Sequence, residues 1–393
     1  MVQSTCCTTD FARIVKGIAM SFLKSVRSLK WHLQLSRPAS RRARRFPIQA
    51  TQYLESRRLL DGTLPGVLVD AVVQDGKLQV TLHESAETLS IRFQPGQLEF
   101  AREGMVTETC SLEGISEILI TGTEGPDRLN VDFANDPEVD LATVLVVTGG
   151  GDDVVTITGM YPPLRRFTWF YTEDGRDLVD ASNSIHGVQA FTGTGRDTVI
   201  GSKGDDRISS GGGNDLVFGR AGNDSIGGQG GADTLIGGRG NDAIYGSGGN
   251  DLIFGNRGND ALEGEEGNDT IFGGADGDWV YGGTGHDRLM GQSGGDWVQG
   301  GDGADRVYGG TGNDLLQGGS GRDRLWGRAG DDTLEGGGGY DILFGGPGRD
   351  SLAGGYRSDV FAGGPGVDVI ADLRPDDILR DDDAVGPLGE PLF

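Results

Sequence analysis

From Thr192 to Ala371 the chain repeats one nine-residue phrase 20 times without insertion or deletion, and every copy carries aspartate at its sixth place. The phrase is Gly-Gly-x-Gly-x-Asp-x-U-x with U apolar, nearly pure in Gly237-Gly238-Arg239-Gly240-Asn241-Asp242-Ala243-Ile244-Tyr245. The eighth place is apolar in all 20 copies and the fourth is glycine in 18. A unit this short has no core of its own. It can bury its apolar residue only by stacking, as a three-residue strand whose eighth-place side chain points inward above the next copy's. The six residues before each strand must turn tightly and bring carbonyls close together, which glycine permits.

Alternate copies differ, which predicts two nonapeptides per coil. Odd copies end in Ile200, Phe218, Ile236, Phe254, Phe272, Met290, Tyr308, Trp326, Phe344 and Ala362, all apolar or aromatic. Even copies end in Ser209, Gly227, Tyr245, Glu263, Tyr281, Gln299, Gln317, Glu335, Ala353 and Ala371, a mixed and mostly small or polar set. Seventh-place Leu216, Leu252 and Ile342 join the odd face, beside an arginine column of Arg288, Arg306 and Arg324, while Trp279 and Trp297 are expected to stack on the even face. Ten coils at a strand spacing of about 4.8 Å make a ladder roughly 48 Å long. That is more contiguous apolar surface than a soluble monomer usually shows, so the ladder is expected to be covered or to bind a polymer or a partner protein.

Carboxylates and carbonyls are hard oxygen ligands, suited to a cation that takes six to eight oxygens at about 2.3 to 2.6 Å, as calcium does. The repeats contain one histidine, His286, and no cysteine, so zinc and copper find little to bind. Turn formation alone would not require aspartate in fixed register in every copy.

Residues 192–371 resemble the RTX, or hemolysin-type, calcium-binding repeat. The resemblance implies an all-β fold, a right-handed parallel β-roll or β-solenoid with two nonapeptides per coil, and calcium held between turns stacked on one edge. It implies as ligands the sixth-place aspartates, together with neighbouring glycine carbonyls. These are Asp197, Asp206, Asp215, Asp224, Asp233, Asp242, Asp251, Asp260, Asp269, Asp278, Asp287, Asp296, Asp305, Asp314, Asp323, Asp332, Asp341, Asp350, Asp359 and Asp368. Two copies depart from the pattern at the fourth place, with Asp276 and Arg357. Nine gaps on each of two edges allow up to about 18 Ca2+ ions. Their charge would nearly cancel that of residues 61–393, which carry 35 more acidic than basic side chains.

Residues 1–60 are of opposite character, with an excess of ten positive charges. A basic leader, 1–45, is amphipathic or disordered: Phe11, Ile14, Val15, Ile18 and Phe22 share one helical face among lysines and arginines. No apolar run is long enough to span a bilayer, so no transmembrane segment is expected. The segment 46–62, with Leu54-Glu55-Ser56-Arg57-Arg58-Leu59-Leu60, resembles the LEPR-XLL segment of large bacterial surface or exported proteins, with Ser56 in place of proline. Between 63 and 191 short strands are predicted at Val67 to Val73, Lys77 to Leu82, Leu89 to Phe93, Gln97 to Phe100, Ile115 to Ile120 and Val144 to Thr148. Degenerate repeats around Asp127, Asp153 and Asp177, set further apart than two nonapeptides and closing up towards Asp197, suggest wider coils of the same β-solenoid acting as a cap; a small separate β-sandwich is the alternative. An acidic tail, 372–393, follows, and Cys6, Cys7 and Cys110 offer no disulfide framework.

The expectation is therefore a calcium-binding protein, extracellular, secreted or at the cell surface, that folds on calcium and serves a structural, adhesive or matrix-interaction role. The polysaccharide, matrix or protein partner would sit on Phe218, Phe254, Phe272, Tyr308, Trp326 and Phe344. Nucleic acid is excluded, since the acidic body repels phosphate. The alternative is a small secreted polysaccharide-active enzyme carrying the repeats. Against it, His83-Glu84-Ser85-Ala86-Glu87 lacks the second histidine of a zinc protease motif, and Gly291-Gln292-Ser293-Gly294-Gly295 fits a nucleophile elbow only formally.

Overall fold

Because the side-chain period of a strand is two, a nonapeptide strand with an apolar eighth place buries that residue and leaves the seventh and ninth outside. The computed structural model shows this in every regular copy: in Leu252–Arg257, for instance, Ile253 is fully buried while Leu252 and Phe254 are half-buried. The structure describes residues 69–380 apart from 75, 83–87, 95, 103–104, 134–142 and 159–167. All of these lie in the compact unit Arg58–Phe393. Among the described residues every regular element is a strand. The leader, the LEPR-XLL-like segment, Cys6 and Cys7, His83 to Glu87 and positions 381–393 lie outside the described residues.

The strands form two ladders, one of them 18-stranded. Even copies build that ladder and odd copies the other, and in both each strand pairs in parallel with the strand two copies on. Val199 lies against Val217 in the odd ladder and Ile226 against Ile244 in the even one, a step of two nonapeptides each time. The alternation at the ninth place is thus the alternation between two sheets. Between them the eighth-place residues from Val199 to Phe361 are at most 2 % exposed, a continuous apolar column without a polar break. Each such burial contributes about 1.5 to 3 kcal/mol relative to exposure, but only with a neighbouring coil above and below.

The same ladders continue ahead of the repeats. Lys77–Leu82, Glu117–Thr121, Thr143–Val147, Thr168–Tyr171 and Val188–Phe191 pair in parallel, in that order, onto the first even-copy strand. The odd ladder runs back through Leu178–Asp180, Val154–Thr158 and Arg128–Asp132 to Thr88–Gln94. Larger side chains fill these wider coils: Phe93, Phe100 and Phe170 are fully buried.

Antiparallel strands close this end. We label them β1 (Val69–Gln74), β2 (Lys77–Leu82), β3 (Thr88–Gln94), β4 (Gln97–Arg102) and β5 (Met105–Ser111). β1 pairs with β2, and β3, β4 and β5 form a meander. A hairpin on each ladder covers an edge that would otherwise template another chain. β5 escapes the sequence reading because its sequence, MVTETCS, carries little apolar alternation. At the opposite end Ile378–Leu379 pairs with Val360–Ala362, so residues 372–380 of the acidic tail make one more odd turn in register.

Candidate metal centre

Each sixth-place aspartate before Asp368 is tied to the coils on both sides by its own backbone and half of its carboxylate. The Asp197 N–H donates to Asp215 Oδ1 at 2.8 Å, and the Asp197 carbonyl accepts the Leu216 N–H at 2.9 Å. The pattern recurs along the odd edge to Asp359, whose N–H donates to Asp377 Oδ1 at 2.8 Å, and along the even edge from Asp206 to Asp368. Nineteen of the 20 aspartates are at most 3 % exposed; Asp368, in the last copy, is half-buried.

The second carboxylate oxygen is the anomaly. Seventeen of the 20 have Oδ2 buried without any hydrogen-bond partner. A buried anionic oxygen without a donor or counter-charge is strongly unfavourable, so such atoms in regular register mark positions completed by something outside the chain. Glycine shows where. A β-carbon on first-place Gly228 would lie 2.3 Å from Asp233 Oδ2 and 3.0 Å from the Gly246 carbonyl oxygen; on Gly264 the corresponding distances are 2.3 Å to Asp269 and 2.6 Å to Gly282. Where glycine leads the turn, carboxylate and carbonyl of adjacent coils therefore flank one small space that any side chain would fill; before Asp197 and Asp215 the leading residues are Thr192 and Ser210, whose hydroxyls donate to the Ser210 and Gly228 carbonyls at 2.8 and 3.2 Å. Among the described residues no three acidic, histidine or cysteine side chains converge on one point. A cation on these edges would take its remaining oxygens from the backbone, a donor set that suits calcium and not zinc or copper.

The fourth place explains its own glycine. Gly240 has φ +114°, and a β-carbon there would meet the Gly222 carbonyl oxygen at 2.0 Å. Asp276 and Arg357 adopt φ of 79° and 83°, still in the left-handed region, so these two turns keep the same hand. A branched residue tolerates neither the φ nor the contact. Gly240→Val is expected to raise the calcium concentration at the midpoint of folding several-fold, while Arg239→Ala, at an exposed third place, leaves it unchanged. Calcium titrations of both variants by far-UV circular dichroism check this, and equal midpoints would refute it.

Electrostatics agree with the geometry. Burial, reinforced by neighbouring aspartates, raises Asp233, Asp242 and Asp323 to about 7 and Asp278 to about 8, although the hydrogen bond from the backbone one coil away pulls each down. Without a cation these carboxyls are held near the charged and neutral boundary at physiological pH.

Not every predicted ligand is alike. Asp206 has its Oδ2 filled by the Ser202 N–H at 2.6 Å and its Oδ1 by the Ser202 hydroxyl at 2.7 Å. Asp377, absent from the nonapeptide count, has its Oδ2 filled by the Arg374 N–H at 2.6 Å, and Asp372 accepts from Gly354 and Gly355, so the added turn closes the stack with its own donors. Asp372 and Asp377 fall on the first and sixth places of a 21st frame, a signal obscured because Asp372, Leu373 and Pro375 stand where the motif has glycine.

On the odd face the aromatic rungs cover one another. Phe254 stacks on Phe272 at 4.9 Å and Tyr308 on Trp326 at 4.5 Å, nearly parallel, and Trp326 on Phe344 at 5.8 Å. In-register pairing puts ring above ring, so every rung from Ile200 to Phe344 is half-buried rather than open. Arg288 and Arg328 lie over the Tyr308 ring at 5.9 and 5.4 Å. The even face differs from expectation: Trp279 and Trp297 meet edge to face at 72°, and Trp297 is 44 % exposed. The Gly291 to Gly295 string is a repeat turn between parallel strands, with the Ser293 hydroxyl donating to the Gly274 carbonyl at 3.1 Å. It has no helix behind it, so the geometry of a nucleophile elbow is missing.

Comparison with known proteins matches residues 191–371 to the RTX calcium-binding nonapeptide repeat, as overlapping or adjoining segments 191–226, 227–262, 254–289, 281–316, 308–343 and 344–371. No curated protein matches the chain. Among solved structures, the crystal structure of a hyperactive, Ca2+-dependent, β-helical antifreeze protein from an Antarctic bacterium is 21% identical. It aligns over 64% of this chain and 83% of that one with a TM-score of 0.30, too loose a likeness to carry an argument.

Proposed function

We propose, from the premise that residues 191–371 are RTX calcium-binding nonapeptide repeats, that this is an extracellular or cell-surface protein that orders on calcium and then serves a structural, adhesive or matrix-interaction role. The observation that carries the reading is the two columns of buried, unpartnered carboxylate oxygens, most of them beside a carbonyl of the adjacent coil. The proposed ligands are the sixth-place aspartates of the repeats, one ion to each unpartnered oxygen. Extracellular repeat modules of low affinity load calcium at about 10⁻⁴ to 10⁻³ M, a concentration found outside cells and not in the cytosol. Secretion before loading would therefore couple folding to arrival.

Once ordered, the odd ladder presents a straight row of rings, with Tyr308, Trp326 and Phe344 stacked and arginines beside them. Such a row, its rings stacked face on face, offers a continuous line of ring edges to an extended polymer, and the arginines suit that polymer's carboxylates. The test is binding of the calcium-loaded chain to an immobilised uronic-acid polymer. Retention without turnover, weakened at least tenfold in Tyr308→Ala/Trp326→Ala, is the expected result. Equal retention by the variant removes the adhesive role of this face, and release of sugar fragments would turn the reading towards an enzyme.

A further inference from the structure

We propose that, in calcium, a second copy of this chain docks its arginine-bearing odd sheet on the acidic, tryptophan-bearing even sheet, and that repetition of this contact builds a stack of copies. This rests on the reading that calcium orders the repeats, because neither sheet exists before the coils stack.

Along most of the repeats charge is sorted between the two sheets. The odd strands from Leu216–Ala221 to Ile342–Phe344 carry seven arginines, Arg220 to Arg328, and no aspartate or glutamate. The even strands from Ser225–Gly230 to Ser351–Tyr356 carry five carboxylates, Glu263 to Glu335, and no lysine or arginine. The core column lies between the sheets, so their outer faces point in opposite directions. Neither set is neutralised at home. Among the described residues no ion pair reaches these five carboxylates, nor Arg239, Arg257, Arg306 or Arg324. Arg288 Nε is buried without a hydrogen-bond partner. Burial, and then the like charge beside each, raises Glu263 and Glu265 above the ordinary carboxyl value.

The even sheet also offers seats for guanidinium groups. Trp279 and Trp297, set edge to face, line a hollow of about 700 Å³ with Leu315 on the next rung. Fifth-place Gly277 and Gly295 leave this room, where the rungs on either side have Asn259 and Asn313. An arginine lies over an indole face or pairs with a carboxylate through two parallel hydrogen bonds, and this sheet presents both acceptors. Spacing selects the partner. Arg257 to Arg328 span five successive odd rungs, and Glu263 to Glu335, with both tryptophans between them, span five successive even rungs. Each run is about 19 Å long at a rung spacing of about 4.8 Å. A second solenoid of the same pitch meets that spacing rung for rung. Strands about 20 Å long over eight rungs offer roughly 750 Å² per copy, the size of a standard stable interface. Odd meets even, so the contact is heterologous and does not close; every copy added presents a fresh odd sheet. The outermost copy keeps its row of rings uncovered, which leaves polymer binding available there.

The test uses the full chain in calcium, with circular dichroism following order and sedimentation velocity following mass. Wild type is expected to grow with protein concentration into species larger than a dimer, and high salt to disperse them. Arg239→Glu/Arg257→Glu/Arg306→Glu, at three exposed positions, disables the odd sheet, and Glu263→Lys/Glu266→Lys/Asp302→Lys disables the even one. None of the six is a sixth-place aspartate, so each variant still orders on calcium; alanine at the same positions serves if a reversed variant does not. Each variant alone stays single at about tenfold the concentration that assembles wild type. Mixed in equal amounts they form a one-to-one pair and nothing larger, because each supplies the sheet that the other has lost. A wild type that orders yet stays single, a stack indifferent to salt, an odd-sheet variant that stacks as wild type does, or a mixture that yields no pair overturns the inference and leaves the proposed function standing. A wild type that does not order in calcium overturns both.

Discussion

Removing calcium from the full chain at neutral pH is expected to abolish most of its strand signal in far-UV circular dichroism and to enlarge its hydrodynamic radius, with both changes cooperative and reversible. Nineteen aspartate oxygens, from Asp153 to Asp350, are buried without a partner, and each sits one coil from the next in its column. Without a cation the fold must bury like charges in two rows, which the apolar column between Val199 and Phe361 cannot offset while also ordering a chain with 72 glycines. Each coil contacts only its neighbours, so loss spreads along the stack rather than stopping at one site. Magnesium should not substitute, because it demands a tight octahedral shell and gives up water reluctantly, whereas these edges offer backbone carbonyls fixed by the coil stacking. A strand signal that persists unchanged in chelator would mean that the carboxylates are neutral or otherwise satisfied, and calcium would lose its structural role.

Acid should partly replace calcium. Asp233, Asp242, Asp314 and Asp323 are raised to about 7 and Asp278 to about 8, first by burial and then by the aspartates in adjacent coils. Their ordinary carboxyl value near 4 applies in the unfolded chain. A folded value above the unfolded one means that the folded state binds more protons between the two. The calcium-free fold is therefore most stable below pH 4 and loses stability as pH rises through about 7 to 8. Calcium binds the ionised form, so its midpoint concentration should fall as pH rises over the same window. Circular dichroism of dialysed, calcium-free protein from pH 4 to 8 should show strand lost with rising pH, and titrations at pH 5, 6, 7 and 8 should show the calcium midpoint decreasing. A calcium midpoint independent of pH, or an apo chain more ordered at pH 8 than at pH 5, would falsify the assignment of these carboxylates as the ligands.

Much of the architecture was readable because the repeat is its own alignment. An invariant apolar eighth place defines the inward residue of every strand, and the odd and even ninth places separate two sheets before any coordinate is known. Val199 opposite Val217 follows from counting two nonapeptides along the chain. The six strands read between residues 67 and 148 are also present, with boundaries shifted by a few residues at most, because period-two alternation survives where the repeat does not. The fifth strand, Met105–Ser111, was not readable, since its pairing with Gln97–Arg102 stabilises a segment that has little apolar signal of its own.

By itself the sequence determined the stacking unit, the core column, the two unlike faces and the acidic, oxygen-only chemistry of the edges, all of which are local properties of nine residues repeated in register. Only the tertiary structure decided which carboxylate oxygens are open. Asp206 and Asp224 are indistinguishable in the motif, yet Ser202 fills one and nothing fills the other. Asp153 and Asp177 lie outside the period, yet their coil-to-coil hydrogen bonds match it. The physical reason is that Oδ2 is satisfied or left open by how each turn folds back on its own aspartate and against the coil stacked on it, and neither is encoded in the spacing of the motif.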